Sequence, residues 1–92
     1  MIDSQFPRVK CYDNGGKSVD RYTVVFLDDP QNRKGLYGAL AMNAEPFHPQ
    51  GFGQHCSAMV GKHLGKRIDS SLLPKDCQTM IRRDLGLTAP QQ

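Results

Sequence analysis

The sequence predicts an α+β domain: a small antiparallel sheet of three to four strands, a C-terminal helix packed on it, and a long Gly/Pro loop. Three observations predict it. Residues 20–27 are rich in β-formers with apolar side chains on alternating positions, which suits a strand. Residues 74–85 carry one apolar stripe at helical spacing between Pro74 and Gly86. Nine Gly and six Pro among 92 residues predict much irregular backbone and few long helices. A chain of this length is one domain, residues 1–92, burying ~60–65% of the surface of the unfolded chain.

Arg8, Val9, Lys10, Cys11 and Tyr12 alternate polar and apolar and then meet Asp13-Asn14-Gly15-Gly16, a strand running into a turn. In the next segment Tyr22, Val24 and Phe26 line one face and Thr23, Val25 and Leu27 the other. Both faces are partly apolar, so this strand belongs in the middle of the sheet. A polar loop, Asp28 to Gly35, leads to a third strand over residues 36–42, weakened by Gly38 and two alanines. These three make an antiparallel meander. From Glu45 to Gly53 the prolines and glycines exclude continuous helix and predict an ordered loop. Residues 54–60 fit either one helical turn or a short strand, and residues 62–68 fit an edge strand whose Lys66 and Arg67 discourage further pairing. In the final element Cys77, Met80, Ile81 and Leu85 form the buried stripe, Asp76 lies in the first turn, and Arg82 and Arg83 lie in the last. Residues 87–92 are expected to fray.

Charge is concentrated in one place. The run Pro46 to Ile68 holds all three histidines, no acidic residue, and Lys62, Lys66 and Arg67. Subtracting those three from twelve Lys and Arg leaves nine, which balance nine Asp and Glu, so the net charge of +3 comes from this run. That is a local cationic patch, not a polybasic chain. Three widely spaced cysteines, Cys11, Cys56 and Cys77, do not resemble a disulfide framework and point to a reducing cytosolic setting. The first residues resemble no export signal, and the longest strongly apolar run, Val24-Val25-Phe26-Leu27, is too short to span a membrane.

Four groupings bear on chemistry. Gly15-Gly16-Lys17-Ser18 resembles the end of a phosphate-binding loop but lacks the first glycine and precedes a strand, so a hairpin loop is favoured. His48, His55, Cys56 and His63 have ligand atoms suited to zinc, yet their spacing matches no usual zinc pattern, and no metal or other cofactor is expected. A Cys56 nucleophile with His48 or His63 as base is formally available, but a chain this small has little room for a substrate pocket, and no enzyme is expected. Lys62, His63, Lys66 and Arg67 surround Gly61 and Gly65, so the backbone can approach a phosphate chain while cations neutralise it. Arg82 and Arg83 either extend that patch or favour the helix C-terminus electrostatically. Phe47 and Phe52, in the loop before it, serve to anchor the loop to the core in preference to stacking on bases. Solvated surface charge is the competing reading of the cations.

Tyr12-Asp13-Asn14-Gly15-Gly16, Asp20-Arg21-Tyr22-Thr23-Val24-Val25, the run Phe47 to His55 and His63-Leu64-Gly65-Lys66-Arg67-Ile68 resemble the blocks of a small family of phage and mobile-element proteins. In length and layout the chain also resembles phage-encoded anti-CRISPR inhibitors of the type I-F surveillance complex, a crRNA-guided ribonucleoprotein. The resemblance implies a stoichiometric inhibitor in the host cytoplasm, monomeric when free, that docks on the loaded complex and blocks target DNA binding, with possible direct contact to the crRNA. Many such inhibitors are acidic DNA mimics, and the positive charge here departs from that pattern. The alternative is a small nucleic-acid-binding phage accessory protein using the same patch.

Overall fold

The computed structural model describes residues 2–86. Five strands form one antiparallel sheet: β1 (Val9–Asp13), β2 (Tyr22–Pro30), β3 (Leu36–Met42), β4 (Gly53–Met59) and β5 (Lys66–Ile68). Their spatial order is β4-β3-β2-β1-β5, so β2 is central. One α-helix, α1 (Lys75–Asp84), follows, and short 3-10 turns occupy Lys62–Leu64 and Ser70–Leu72. The class is as expected, but the strand count is five rather than three to four. Residues 54–60, which fit helical turn or strand, fall mainly in strand: β4 pairs along its whole length with β3, Gly53 opposite Met42 through Met59 opposite Leu36. Of the expected edge strand over 62–68 only Lys66–Ile68 is strand, pairing with the end of β1, because Lys62–Leu64 folds into a 3-10 turn. The expectation for residues 87–92 lies outside the described residues.

The period-two pattern of β2 sorts the core into two layers. Tyr22, Val24 and Phe26 join Phe6, Val9, Cys11, Leu40, Met42 and the helix residues Leu73, Cys77 and Ile81 in the main core. Ile81 is fully buried, which contributes ~1.5–3 kcal/mol relative to an exposed side chain. Past its last residue, Asp84, the helix is closed by Gly86, whose N–H donates to the Arg83 carbonyl at 3.1 Å and whose φ of 73° turns the chain away from the helical path. Among the described residues no helix is long and apolar enough to cross a membrane.

The opposite face is closed by a smaller layer in which Tyr12, Val25 and Ala39 are buried against Tyr37, Cys56, Ala58 and Leu64. Its presence follows from topology. Strands β4 and β5 run the same way at opposite edges, so the chain from Met59 to Lys66 must return diagonally across the sheet. Four strand spacings at ~4.8 Å and six residues of register at ~3.3 Å make that diagonal roughly 28 Å on a flat sheet. The seven steps from Met59 to Lys66 reach about 25 Å when fully extended. The sheet must therefore coil across its width, and Leu64 in the crossing segment becomes the apolar lid of the second layer.

Two carboxylates tie the amino-terminal segment to the turn that precedes α1. Asp3 is buried and accepts hydrogen bonds from the N–H groups of Gln5, Phe6 and Ser70 and from the Ser70 hydroxyl, at 2.6 to 2.9 Å. Asp69 accepts from the N–H and hydroxyl groups of both Ser4 and Ser71. Those bonds hold its carboxyl well below the usual carboxylate range.

Candidate functional site

Where the crossing segment meets β5, it leaves an open cleft of about 550 Å³ lined by Tyr12, Gly61, Lys62, Gly65, Lys66 and Arg67. Local backbone geometry builds it. The Lys62–Leu64 turn is closed by Leu64 N–H to the Gly61 carbonyl and Gly65 N–H to the Lys62 carbonyl, at 3.1 and 3.0 Å. Gly65 then takes φ 115° and ψ −161°, a conformation essentially reserved for glycine. A Cβ there would stand 2.4 Å from the Asp13 carbonyl oxygen, so only glycine lets the segment lie against the end of β1. Lys62 and Lys66 are exposed, Arg67 is half-buried, and the Tyr12 ring belongs to the buried layer beneath.

Asp13, the acid nearest this cleft in the fold, is committed elsewhere. Arg21 donates to both its oxygens at 2.8 and 3.1 Å, and Gly15 N–H donates at 2.8 Å. The Arg21 bonds lead the causes that hold Asp13 below its ordinary pKa, against a smaller opposing effect of burial, and Lys66 adds a little in the same direction. The cleft thus keeps its positive character, with the nearby negative charge balanced by Arg21.

The other residues selected from the sequence, His63, Arg82 and Arg83, do not line the cleft. His63 is exposed and its ring folds back toward Gly61, beside the cleft but outside its lining. Arg82 reaches the amino-terminal segment, donating to Gln5 Oε1 at 2.7 Å and lying over the Phe6 ring. Arg83 lies 4.9 Å over Phe47, near β4 at the far edge of the sheet from β5. The helix thus directs these two arginines to its own docking contacts rather than to the Lys62–Arg67 patch. Phe47 serves the same junction.

The other groupings come apart on the sheet. His55 projects toward the helix, where its Nε2 pairs with Asp84 Oδ1, while Cys56 points to the opposite face. His48 Nδ1 accepts the Gln50 N–H at 3.0 Å within its loop. Burial first, and then the Asp20 charge, push the Cys56 thiol up, opposite to what an activated nucleophile needs. Among the described residues no three His, Cys, Asp or Glu side chains converge as a metal site. In the Gly15-Gly16-Lys17 turn the Asp13 and Asn14 side chains already accept all three N–H groups, leaving none to cradle a phosphate. Tyr12 is the cleft residue that the charge pattern could not select; its alternation with Cys11 was the available signal.

Comparison with family models, curated proteins and solved structures finds no match to this chain.

Proposed function

We propose that the protein is a non-catalytic binder that grips a phosphodiester backbone in the Lys62–Arg67 cleft, and that this backbone is guide RNA displayed by a type I-F surveillance complex. In this reading it is a phage-encoded inhibitor that blocks target DNA binding. One observation carries the phosphate part: the three cations responsible for the net charge line a single open cleft together with Gly61 and Gly65. Phosphate recognition needs cations beside backbone that can come close, and Gly61 and Gly65 offer no side chain to prevent it. RNA-guided effectors read sequence by base pairing and hold their guide by its backbone, which suits a partner that reads charge and shape.

Acidic mimicry of DNA has little support. Asp3 and Asp69 tie the amino-terminal segment to the turn before α1, Asp13 is held by Arg21, Asp28 by Arg8 at 2.9 Å, and Asp84 pairs with His55. Five of the nine acidic side chains are thus engaged within the chain. The partner assignment rests on the family resemblance and is tested by tagged recovery of the crRNA-loaded complex from cells, with binding to a bare oligonucleotide in parallel. Recovery with much tighter binding to the complex supports the inhibitor. Steeply salt-sensitive binding to the bare oligonucleotide, with no recovery of the complex, supports the free nucleic-acid module instead.

A further inference from the structure

Among the described residues strand β4 is an open edge, and it lacks the devices that usually protect one. At the other edge β5 has three residues, two of them cations. By contrast β4 is seven residues long, carries no Lys, Arg, Asp, Glu or Pro, and five of its residues are exposed. Long, neutral, unpaired edges are templates for a further strand.

Its hydrogen-bonding phase can be read from the chain. Asn43 N–H donates to the Phe52 carbonyl at 2.9 Å, and these two residues stand opposite each other by extension of the β3–β4 register. They form a hydrogen-bonded pair, so Phe52 directs its main-chain groups toward β3, as Gln54, Cys56 and Ala58 then do. Gly53, His55, Ser57 and Met59 direct theirs outward.

We propose that two copies of this chain pair antiparallel through β4, centred on Cys56, to give one continuous ten-stranded sheet. That register is the one that uses all seven residues: Gly53 faces the second copy's Met59, His55 its Ser57, and Cys56 its Cys56. It makes hydrogen-bonded pairs of the outward residues, for about eight main-chain bonds. Registers shifted by two residues pair five, and registers shifted by one put opposed side chains on different faces.

Side chains fit the same register. Met59 is 47% exposed on the helix side of the sheet. Opposite it the second copy presents Gly53, beside a cavity of about 260 Å³ lined by Leu40, Phe47, Met80, Arg83 and the His55–Asp84 pair. The second copy's own Met80 and Pro46 fill the space over Gly53, so Met59 meets their apolar surface, and the two-fold axis repeats the contact. The paired strands themselves bring no Lys, Arg, Asp or Glu together, and the cations of β5 stand four strands away, roughly 19 Å, on each side. The proposed dimer is an alternative to the free monomer that the family resemblance implies, and it does not depend on what the basic cleft binds.

Sedimentation of the full chain at rising concentration tests it, together with cross-linking. Cys56 residues facing each other in a non-hydrogen-bonded pair stand ~4.5 Å apart at Cα, within the range a disulfide spans. Diamide, which takes up the two thiol hydrogens as the S–S bond forms, should then give a covalent dimer. Cys56→Ser should lose that species while still associating, and Met59→Glu, at an exposed position, should fold normally yet weaken association by about tenfold or more. A single monomeric species up to ~1 mM protein overturns the proposal. So does a cross-link that persists in Cys56→Ser, or association unchanged in Met59→Glu.

Discussion

Gly65→Ala should be among the most damaging single-methyl additions in this chain. Two costs add. A side chain at φ 115°, ψ −161° sits in a backbone region essentially restricted to glycine, at about 1–3 kcal/mol. The new Cβ would also lie 2.4 Å from the Asp13 carbonyl oxygen and 2.6 Å from its carbon, both backbone atoms of a paired strand, so relief requires moving β1 or the crossing segment. Such overpacking costs about 1–3 kcal/mol more. The sum, ~4 kcal/mol, is a large share of the stability of a small domain and corresponds to a fall in Tm of ~15–30 °C. Gly15→Ala is the matched control: its φ of 79° is also positive, but nothing lies within 4 Å of its Cβ, so only the backbone cost of ~1–2 kcal/mol applies. Urea unfolding of both variants, followed by circular dichroism, measures the difference. If Gly65→Ala lies within ~0.5 kcal/mol of Gly15→Ala, the close packing of the crossing segment on β1 is wrong.

Three further outcomes are expected. Asp3→Ala should destabilise by about 3 kcal/mol or more in the same urea assay, because it strips partners from the buried Phe6 and Ser70 N–H groups. Asp69 is held below its ordinary value of 3.8, so it contributes stability above that pH which is lost as pH falls through the lowered folded value. Stability measured from pH 5 to 2 should therefore decline, and less steeply in Asp69→Asn. Burial raises all three thiols, Cys77 to about 12, so thiol labelling of the native protein should be slow at pH 7 and gain rate beyond pH 9. It should stop at Cys56, since Cys11 and Cys77 have no exposed surface.

The parts of the fold legible in the sequence are those governed by local pattern. β3 spans Leu36–Met42 as read, the two faces of β2 enter the two cores as read, and α1 starts and stops within a residue of the range 74–85 that its Pro and Gly signals set. β4 was ambiguous because it is mostly exposed, so neither face imposes an apolar period on Gly53–Met59. β5 and the crossing segment depend on a long-range fit, Gly65 against Asp13, that no local window contains. The site divides in the same way. Lys62, Lys66, Arg67 and the two glycines lie within seven residues, and one turn suffices to gather them into the cleft. Arg82 and Arg83 share the charge but not the place, because helix phase turns them toward Phe6 and Phe47.

The central claim is that the Lys62–Arg67 cleft grips a phosphate backbone. Titration of the wild-type protein and the Lys62→Glu/Lys66→Glu variant against the crRNA-loaded complex at several salt concentrations tests it most directly. Both lysines are exposed, so the variant keeps the fold, while Arg67, half-buried, is left in place. The wild type should lose affinity as salt rises, and the variant should bind far more weakly with a log–log salt slope reduced by roughly 0.7 per lost contact. Equal affinity and equal salt slope for the two proteins would contradict the account and leave these cations as solvated surface.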